Sequence, residues 1–474
     1  MKKYYLPIAL AAMIAASCGS TGTDTQKSVS EAQKESEKPW GIKVSDNKRY
    51  FQTPDGKPFF WMGETGWLAF NKLNRQEVAD YLDLRKKQGF NIIQVMGLHS
   101  LGVVNVYGDT AVLNKDVSKP IVTEGADFAD SVQYDFWDHV DYTIKTAEDK
   151  GLYVAIVPIW GSAAKEGVTA EQAAAYAQFL VNRYGKYPNI IWLNGGDIPG
   201  DQKREVWDAL GKTIHALDTV HLQTYHPRGR GQSSTLFHNE PWLDFNMIQS
   251  GHKDYAQDTM KKDPNYGEDN WKYINVDWNL SPAKPTVDGE PSYEEIPHGL
   301  HDTANGYWFA DDIRRFGYWS VFAGGAGYTY GHNSVMQFLK PGETKRAFHA
   351  KAIWTDALTY PGATQMVHLK NLMLSRPYFE RIPDQSLVAD QGERYDYIVA
   401  TRGEKYAFLY TATGRPFKVN TGILKGDKLV ATWFNPRTGA ETPAGEFDNK
   451  GVLEFKPEGE TKHGNDWVLI LDSK

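Results

Sequence analysis

Two short acidic motifs carry the strongest chemical signal in this sequence. Asp197 ends an Asn-Gly-Gly-Asp motif at 194–197, and Glu290 lies within an Asp-Gly-Glu-Pro motif at 288–291. Each motif follows an apolar run of the length of a β-strand. Two carboxylates that flank a glycosidic bond can cleave it, because one protonates the leaving oxygen while the other attacks the sugar carbon or activates water. Asp288 is a rival to Glu290 for the second role.

Other polar and aromatic residues follow further apolar runs in the same way. Hydroxyl groups of a sugar need paired donors and acceptors, and sugar faces stack on aromatic rings. We therefore predict a substrate-binding set at these positions: Glu64, Trp67, Trp160, Asn194, His226, His252, Tyr330 and His332. Taken alone, each of these histidines could equally be a core or surface residue.

The elements that must position these residues alternate between strand and helix. Apolar runs predict eight strands, at 58–62, 90–96, 152–160, 190–194, 222–225, 247–250, 286–288 and 326–330. Strands that are apolar throughout and alternate with helices form a parallel sheet covered by helices. The turn at 63–67 reads Gly-Glu-Thr-Gly-Trp, which lacks the glycine pattern of a doubly wound nucleotide-binding sheet. We therefore predict a (β/α)₈ TIM barrel over 39–375.

In such a barrel, the active site lies at the carboxyl ends of the strands. Asp197 follows the fourth predicted strand and Glu290 follows the seventh. These strands lie on opposite sides of an eight-stranded ring, so we expect the two carboxylates to face each other across a pocket.

The pattern changes after about residue 376. Short alternating segments, separated by turn residues, lie at 395–401, 405–410, 429–434, 452–455 and 467–471. Alternation with frequent turns is typical of antiparallel sheets. We predict a small antiparallel β-sandwich over 376–474.

The first residues read as a targeting segment. A basic start, a short apolar run and small residues lead to Cys18, which is the chain's one cysteine. This layout is that of a secretory signal over 1–17, and it resembles a bacterial lipoprotein signal in which the cysteine is lipidated. The alternative is an ordinary cleaved signal with a chance cysteine. Residues 18–38 are polar and read as a tether, so we expect an exported protein, lipid-anchored in the bacterial cell envelope, in the periplasm or at the cell surface.

Composition excludes several classes of function. The chain of 474 residues has 52 Lys and Arg, 59 Asp and Glu, and a net charge of −7, so no basic surface for nucleic acid is indicated. One cysteine excludes an internal disulfide and a cysteine-based zinc or iron–sulfur site. No metal-binding or nucleophile motif that we searched for is present, and we predict neither a metal nor an organic cofactor.

Four segments of the sequence resemble glycoside hydrolase family 140. They are the run from Phe51 to Trp67, Gly-Phe-Asn-Ile-Ile-Gln at 89–94, Trp-Leu-Asn-Gly-Gly-Asp at 192–197, and Asp-Gly-Glu-Pro at 288–291. The family is similar to other retaining (β/α)₈ glycosidases and includes apiosidases that act on the pectin rhamnogalacturonan II. The resemblance implies that Asp197 is the acid/base and Glu290 the nucleophile. The C-terminal sandwich resembles a collagen-binding type of domain, but its residues give no support for collagen recognition.

These observations predict a secreted glycoside hydrolase that cleaves a pectic glycosidic bond of the plant cell wall. We expect an apiosidic bond, a two-carboxylate mechanism and retention of anomeric configuration. The expected partner is an oligo- or polysaccharide, with membrane contact only through the lipid anchor. A non-catalytic carbohydrate-binding lipoprotein is the main alternative, and a peptidase or matrix-binding protein is a third.

Overall fold

The computed structural model describes residues 40–259 and 266–474. The predicted signal segment, Cys18 and the tether lie outside the described residues. Within the described part of the chain, no helix combines the length and apolar character that a membrane crossing requires.

Eight parallel strands form the first sheet. They are β1 Trp61–Thr65, β2 Ile92–Leu98, β3 Tyr153–Ile159, β4 Ile190–Gly195, β5 Gln223–His226, β6 Asn246–Gln249, β7 Thr286–Asp288 and β8 Gly327–Tyr330. The helices that follow them in turn are α1 Arg75–Lys87, α2 Phe136–Asp149, α3 Ala170–Tyr184, α4 Arg204–Leu217, α5 Ser234–Phe237, α6 Asn270–Trp278, α7 Ala310–Phe322 and α8 Pro361–Leu374. Short helices also lie at Ala69–Lys72, Gly161–Ala164, Asn333–Met336 and Trp354–Ala357.

The eight strands curve into a nearly closed barrel. Their order is β5-β4-β3-β2-β1-β8-β7-β6, and a short antiparallel strand, Gly231–Gln232, extends the sheet beyond β6. The two end strands meet where the backbone N–H of Asp244 donates to the Gln223 carbonyl at 2.9 Å. The hydroxyl of Thr224 donates to the Phe245 carbonyl at 2.5 Å beside it. The predicted (β/α)₈ barrel is confirmed.

Local sequence explains where the helices begin and end. Asn74 with Glu77, and Thr169 with Gln172, form reciprocal capping boxes at the starts of α1 and α3, as their spacing predicts. The length and composition of residues 351–374 predict a single helix there, and this prediction is wrong. The segment forms two helices, because the proline that begins α8 restricts the residue before it to extended backbone.

A small antiparallel sheet covers the amino-terminal end of the barrel. It consists of Lys43–Val44, Phe51–Gln52 and Pro58–Phe59. The ring of Phe51 lies 6.2 Å from that of Trp61 and 5.2 Å from that of Phe245, which stand where β1 and β6 begin. The predicted strand at 58–62 is therefore divided between this sheet and β1. This end is closed, so access to the barrel comes from the carboxyl ends of the strands.

The C-terminal residues form antiparallel sheets. The strands are β9 Ile382–Pro383, β10 Val399–Arg402, β11 Tyr406–Thr411, β12 Phe417–Asn420, β13 Lys428–Phe434, β14 Glu441–Asp448, β15 Val452–Phe455 and β16 Trp467–Ser473. The larger sheet has the order β9-β10-β11-β16-β13-β14, and β12 pairs with β15. Sequence patterns did not predict β9, β12 or β14.

Helix α7 joins the C-terminal sheet to the barrel. The rings of Tyr318 and Tyr410 stack 4.8 Å apart, and Arg314 makes two hydrogen bonds of 2.8 Å to the carboxylate of Asp466. All four side chains are buried. Side chains of the barrel and of the sheet belong to one continuous hydrophobic core.

Candidate active site

A strained turn places Asp197 at the carboxyl end of β4. Gly195, Gly196 and Asp197 have φ values of +87°, +123° and +45° in succession. A Cβ atom on Gly196 would overlap the indole of Trp160, and one on Gly195 would overlap the ring of Tyr225. Only glycine combines this conformation with such close packing, and strain of this kind concentrates at functional sites.

Glu290 lies two residues beyond β7 and is surrounded by hydrogen-bond donors. Nε2 of His226 lies 3.1 Å from its Oε2, and Nε2 of His252 lies 3.4 Å from its Oε1. The phenol of Tyr293 donates a short hydrogen bond to the same Oε1. Burial acts to raise the pKa of Glu290, but the close approach and charge of the two histidines outweigh burial and hold the pKa at about 2. Glu290 is therefore an anion at neutral pH.

The pKa of Asp197 moves in the opposite direction. The residue is open to solvent along one side of the cavity, but protein atoms crowd its carboxyl, and this burial is the largest cause of a raised pKa. The negative charge of Glu290 raises the pKa further, against the two histidines and the backbone N–H of Gly229. Two nearby carboxyls with pKa values pushed apart are the arrangement that acid and nucleophile require.

Both carboxyls line one cavity of about 430 Å³ at the carboxyl ends of the strands. Its walls combine two tryptophans, carboxyls, basic groups and a few apolar side chains: Trp67, Met96, Trp160, Asp197, Arg228, Gly229, Arg230, Gln249, Gly251, His252, Lys253, Glu290, Gly299, Leu300, His301, Met336 and Phe348. The rings of Trp67 and Trp160 lie 5.2 Å apart. Aromatic faces beside polar groups suit a ring-shaped ligand that carries hydroxyls.

A larger cavity of about 610 Å³ lies elsewhere, between the starts of α7 and α8 and the loop at 462–465. Two of its carboxyls, Glu294 and Asp311, also have pKa values shifted in opposite directions, but each is already bonded within the protein: Glu294 accepts from the Tyr330 hydroxyl at 2.7 Å, and Asp311 contacts His463. Beside this cavity, His463 contacts Asp311 at 2.7 Å and Asp312 at 3.2 Å, one through each ring nitrogen. Within the described residues this is the group that could hold a metal ion. Each histidine nitrogen already faces its own carboxylate, so the arrangement is that of an ion pair.

Several predicted site residues come together at the smaller cavity. Trp67, Trp160, Asp197, His252 and Glu290 line it directly. His226 stands behind Glu290, with its ring 5.5 Å from that of Trp67.

Two predicted binding residues are corrected, because buried partners hold them away from the cavity. Glu64 is fully buried, accepts a hydrogen bond of 2.8 Å from Arg85, and has a pKa raised to about 7 by burial. The hydroxyl of Tyr330 donates to Glu294 at 2.7 Å. Neither Glu64 nor Tyr330 lines the cavity.

Asn194 and His332 are also corrected, because they serve the backbone. The amide of Asn194 donates to the Trp207 carbonyl at 2.7 Å and accepts from the N–H of Gly195 at 2.9 Å. His332 caps a short helix by accepting from the Ser334 N–H at 3.0 Å, and burial lowers its pKa to about 3. Both side chains are buried outside the cavity wall.

Asp288, the rival to Glu290, is enclosed within the protein. It accepts hydrogen bonds from Ser250 at 2.9 Å, Ser320 at 2.8 Å and Asn270 at 3.1 Å. Burial raises its pKa to about 6. It does not line the cavity.

The predicted binding set contained neither Tyr293 nor Arg228, although Arg228 is one of the polar residues that follow the fifth predicted strand. Tyr293 follows Glu290 by three residues, and Arg228 follows β5 by two residues. The strand-end rule pointed to Arg228, which is exposed at the cavity. The contact of Tyr293 depends on how the loop after Glu290 folds back, which no sequence pattern indicated.

Family models divide the chain in two. A model described as "Apiosidase-like, catalytic domain" matches residues 45–380. A model described as "Putative collagen-binding domain of a collagenase" matches residues 382–472. No curated protein matches this chain.

Solved structures of glycoside hydrolases match nearly the whole chain. A protein titled "Glycoside hydrolase" is 47% identical, with a TM-score of 0.86 over 92% of this chain and 97% of that one. A glycoside hydrolase family 5 protein from Bacteroides vulgatus is 44% identical, with a TM-score of 0.87 over 92% of this chain and 95% of that one. Together with a family model that spans most of the chain, these matches show that the protein is a glycoside hydrolase with a TIM-barrel fold, related to family 5 enzymes and belonging to the apiosidase-like family.

Proposed function

We propose that this enzyme hydrolyses a pectic glycosidic bond of the plant cell wall, of the apiosidic type, with retention of configuration. The observation that carries the proposed mechanism is the pair Asp197 and Glu290, which line one cavity and have pKa values shifted in opposite directions. The apiosidase-like description of the matching family model supports the choice of bond.

In the proposed first step, the carboxylate of Glu290 attacks the anomeric carbon. The bond to the leaving oxygen breaks, and that oxygen takes the proton of Asp197. In the second step, Asp197 is a carboxylate and removes a proton from water, and the water oxygen displaces Glu290 from the sugar. The upward shift of the Asp197 pKa favours its protonated form, which the first step requires, and the low pKa of Glu290 keeps the nucleophile ionised.

The cavity walls support a sugar ligand in this mechanism. Trp67 and Trp160 provide aromatic surface beside the carboxyls, while the exposed Arg228 and the buried Gln249 provide hydrogen-bonding groups in the cavity wall. We assign the two rings to stacking against the sugar and the two polar groups to its hydroxyls.

A screen against pectic oligosaccharides, including fragments of rhamnogalacturonan II, tests the proposal through the sugars released. The wild type should release a sugar, and apiose is the expected product. Asp197→Ala should reduce the rate by roughly 10²–10⁴-fold, the usual contribution of acid–base catalysis. Glu290→Gln removes the nucleophile and should abolish most turnover, and both variants should show unchanged folding by circular dichroism. Binding of the oligosaccharides without any release would favour the carbohydrate-binding alternative.

We also propose that the mature protein is anchored to the bacterial envelope through a lipid on Cys18. The support is the position of this single cysteine after a short apolar run. Wild-type protein should incorporate a fatty-acid analogue and appear in the membrane fraction, and Cys18→Ser should not be labelled. Absence of label on the wild type would overturn the anchor but leave the proposed catalysis untouched.

A further inference from the structure

Tyr293 is the closest hydrogen-bond donor to Glu290. Its side chain is 2% exposed, and its hydroxyl donates to Oε1 of Glu290. A neutral phenol has one proton and donates one hydrogen bond. This contact therefore uses the full donor capacity of Tyr293.

Trp67 fixes the direction of that proton. Its indole N–H donates to the hydroxyl oxygen of Tyr293 at 2.8 Å. An indole N–H can only donate, so Tyr293 must accept from Trp67 and must direct its own proton elsewhere. The hydrogen bonds consequently run in one direction, from Trp67 through Tyr293 to Glu290.

Electrostatics keep the phenol protonated. Burial is the largest cause of a pKa of Tyr293 far above its ordinary value, and the negative charge of Glu290 raises this pKa further. Tyr293 is therefore a protonated donor at neutral pH.

Packing holds the tyrosine ring in place. A Cβ atom on Gly331, directly after β8, would overlap the ring of Tyr293. The ring of His252 meets it edge to face at 4.7 Å. The backbone N–H of Glu294 donates to the Gly331 carbonyl at 2.9 Å, which fixes the loop against the end of β8.

We infer that Tyr293 is a positioning residue, which with Trp67 behind it orients the carboxylate of Glu290 and keeps it ionised for attack. The inference rests on the proposed role of Glu290 as nucleophile. A donor to a carboxylate stabilises the anion relative to the acid. The same hydrogen bond stabilises Glu290 again as it leaves the sugar in the second step.

Other charged and titratable groups also act on Glu290. His226 from β5 and His252 after β6 lower its pKa, and Asp197 after β4 interacts with it unfavourably. The contribution of Tyr293 is therefore the change in the pKa of Glu290 when the Tyr293 hydroxyl is removed and these three groups remain.

The test is the pH profile of kcat/KM, whose acid limb reports the ionisation of the nucleophile in the free enzyme. The substrate is the pectic oligosaccharide that the wild type cleaves best. Tyr293→Phe removes the donor, so the pKa of Glu290 should rise and the acid limb should move up by about 1–2 pH units. Tyr410→Phe is the matched control, because Tyr410 is a buried tyrosine that donates to Asp466 at 3.3 Å, and neither residue lines the cavity. It should leave the acid limb unchanged.

Trp67→Phe gives a second and independent measurement. It leaves the phenol in place but removes the group that directs its proton, so the acid limb should move in the same direction by a smaller amount. The double variant Tyr293→Phe/Trp67→Phe should have the same acid limb as Tyr293→Phe, because the hydrogen bond from Tyr293 to Glu290 is already absent in the single variant.

The outcomes separate this inference from the function on which it rests. If Glu290→Gln is inactive while Tyr293→Phe and Trp67→Phe both keep the wild-type acid limb, the role of Tyr293 is wrong and the nucleophile stands. If Glu290→Gln retains near wild-type turnover, the proposed nucleophile is wrong and the role of Tyr293 falls with it.

Discussion

At the scale of single residues, two acids close in sequence have opposite environments. Asp288 ends β7 inside a ring of hydroxyl and amide donors, and burial raises its pKa to about 6. Glu290 reaches the cavity, where histidines hold its pKa at about 2. The same motif therefore supplies one structural carboxyl and one candidate nucleophile.

Asp288 should affect stability and leave catalysis intact. Because its pKa is higher in the folded protein than the ordinary value of about 3.9, the folded state binds this proton more tightly. The resulting stabilisation is present below pH 4 and is lost as the pH rises through about 6. Relative to Asp288→Asn, the wild type should lose up to about 3 kcal/mol of unfolding free energy between pH 4 and pH 7.

Denaturant unfolding of both proteins across this pH range measures the difference. Turnover of Asp288→Asn should stay near that of the wild type. Stability curves that run parallel with pH, or a loss of turnover as large as that of Glu290→Gln, would show that the role assigned to Asp288 is wrong.

The cavity could be predicted from sequence only in part. The rule that catalytic groups follow barrel strands leads to Asp197, Glu290, Trp67 and Trp160. It fails for Glu64, whose partner Arg85 lies on helix α1, 21 residues away. Whether a strand-end side chain faces the cavity or a buried partner depends on tertiary packing, which a single sequence does not display.

At the scale of elements, the turn after β4 decides where Asp197 lies. Backbone hydrogen bonds attach it to two neighbours, since the Gly196 N–H donates to the His226 carbonyl at 2.9 Å and the Gly161 N–H donates to the Gly196 carbonyl at 3.0 Å. These hydrogen bonds restrict the backbone conformation between β4 and Asp197.

A single methyl group in this turn should damage the site. Gly196→Ala adds a Cβ that overlaps the indole of Trp160 and also strains a backbone with φ of +123°. We expect turnover to fall by at least about 10-fold, since small displacements of catalytic groups are costly, and stability to fall by about 1–3 kcal/mol. Steady-state kinetics and thermal unfolding measure the two effects.

Gly167→Ala is the matched control for backbone strain. Gly167 has a similar φ of +115°, is exposed, and has no atom within 4 Å of the position of a Cβ. Gly167→Ala should lower the free energy of unfolding by about 1 kcal/mol and leave turnover unchanged. Equal losses of turnover in the two variants would mean that strain, and not the contact with Trp160, controls the site.

Elements themselves were predictable where burial imposes a pattern. Barrel strands such as Tyr153–Ile159 are buried along their full length and are apolar in sequence. Strand β14, Glu441–Asp448, has no buried residue and contains proline and glycine, so it carries no such pattern. It exists because β13 offers a backbone edge to pair with.

At the scale of the whole molecule, the barrel and the C-terminal sheet form one compact unit over 40–474. The family models meet near residue 381, but one cluster of buried side chains continues across this point, beside a second cluster that lies within the C-terminal sheets alone. Phe322 of α7 packs against Phe408 of the sheet with ring centroids 6.0 Å apart. A sheet that shares buried side chains with the barrel should not unfold alone.

Calorimetry should therefore show one unfolding transition for residues 40–474. Phe322→Ala should leave a single transition but lower the free energy of unfolding by about 3–5 kcal/mol, because it leaves a cavity in the shared core. Phe309→Ala is the control next to the same helix, since its side chain is 50% exposed and its loss should cost little. Two resolved transitions in the wild type would contradict a shared core.

The central claim is that Glu290 attacks the sugar while Asp197 supplies the proton. Retention requires the two carboxyls to lie about 5–5.5 Å apart, and inversion requires about 6.5–9.5 Å to admit a water molecule. Aspartate is shorter than glutamate, but the glycine turn brings the backbone of Asp197 close to the cavity. Proton NMR of the first sugar released, recorded before mutarotation, reads the outcome directly. The account predicts that the first-formed anomer has the configuration of the substrate, and the inverted anomer would contradict it and make Glu290 a general base.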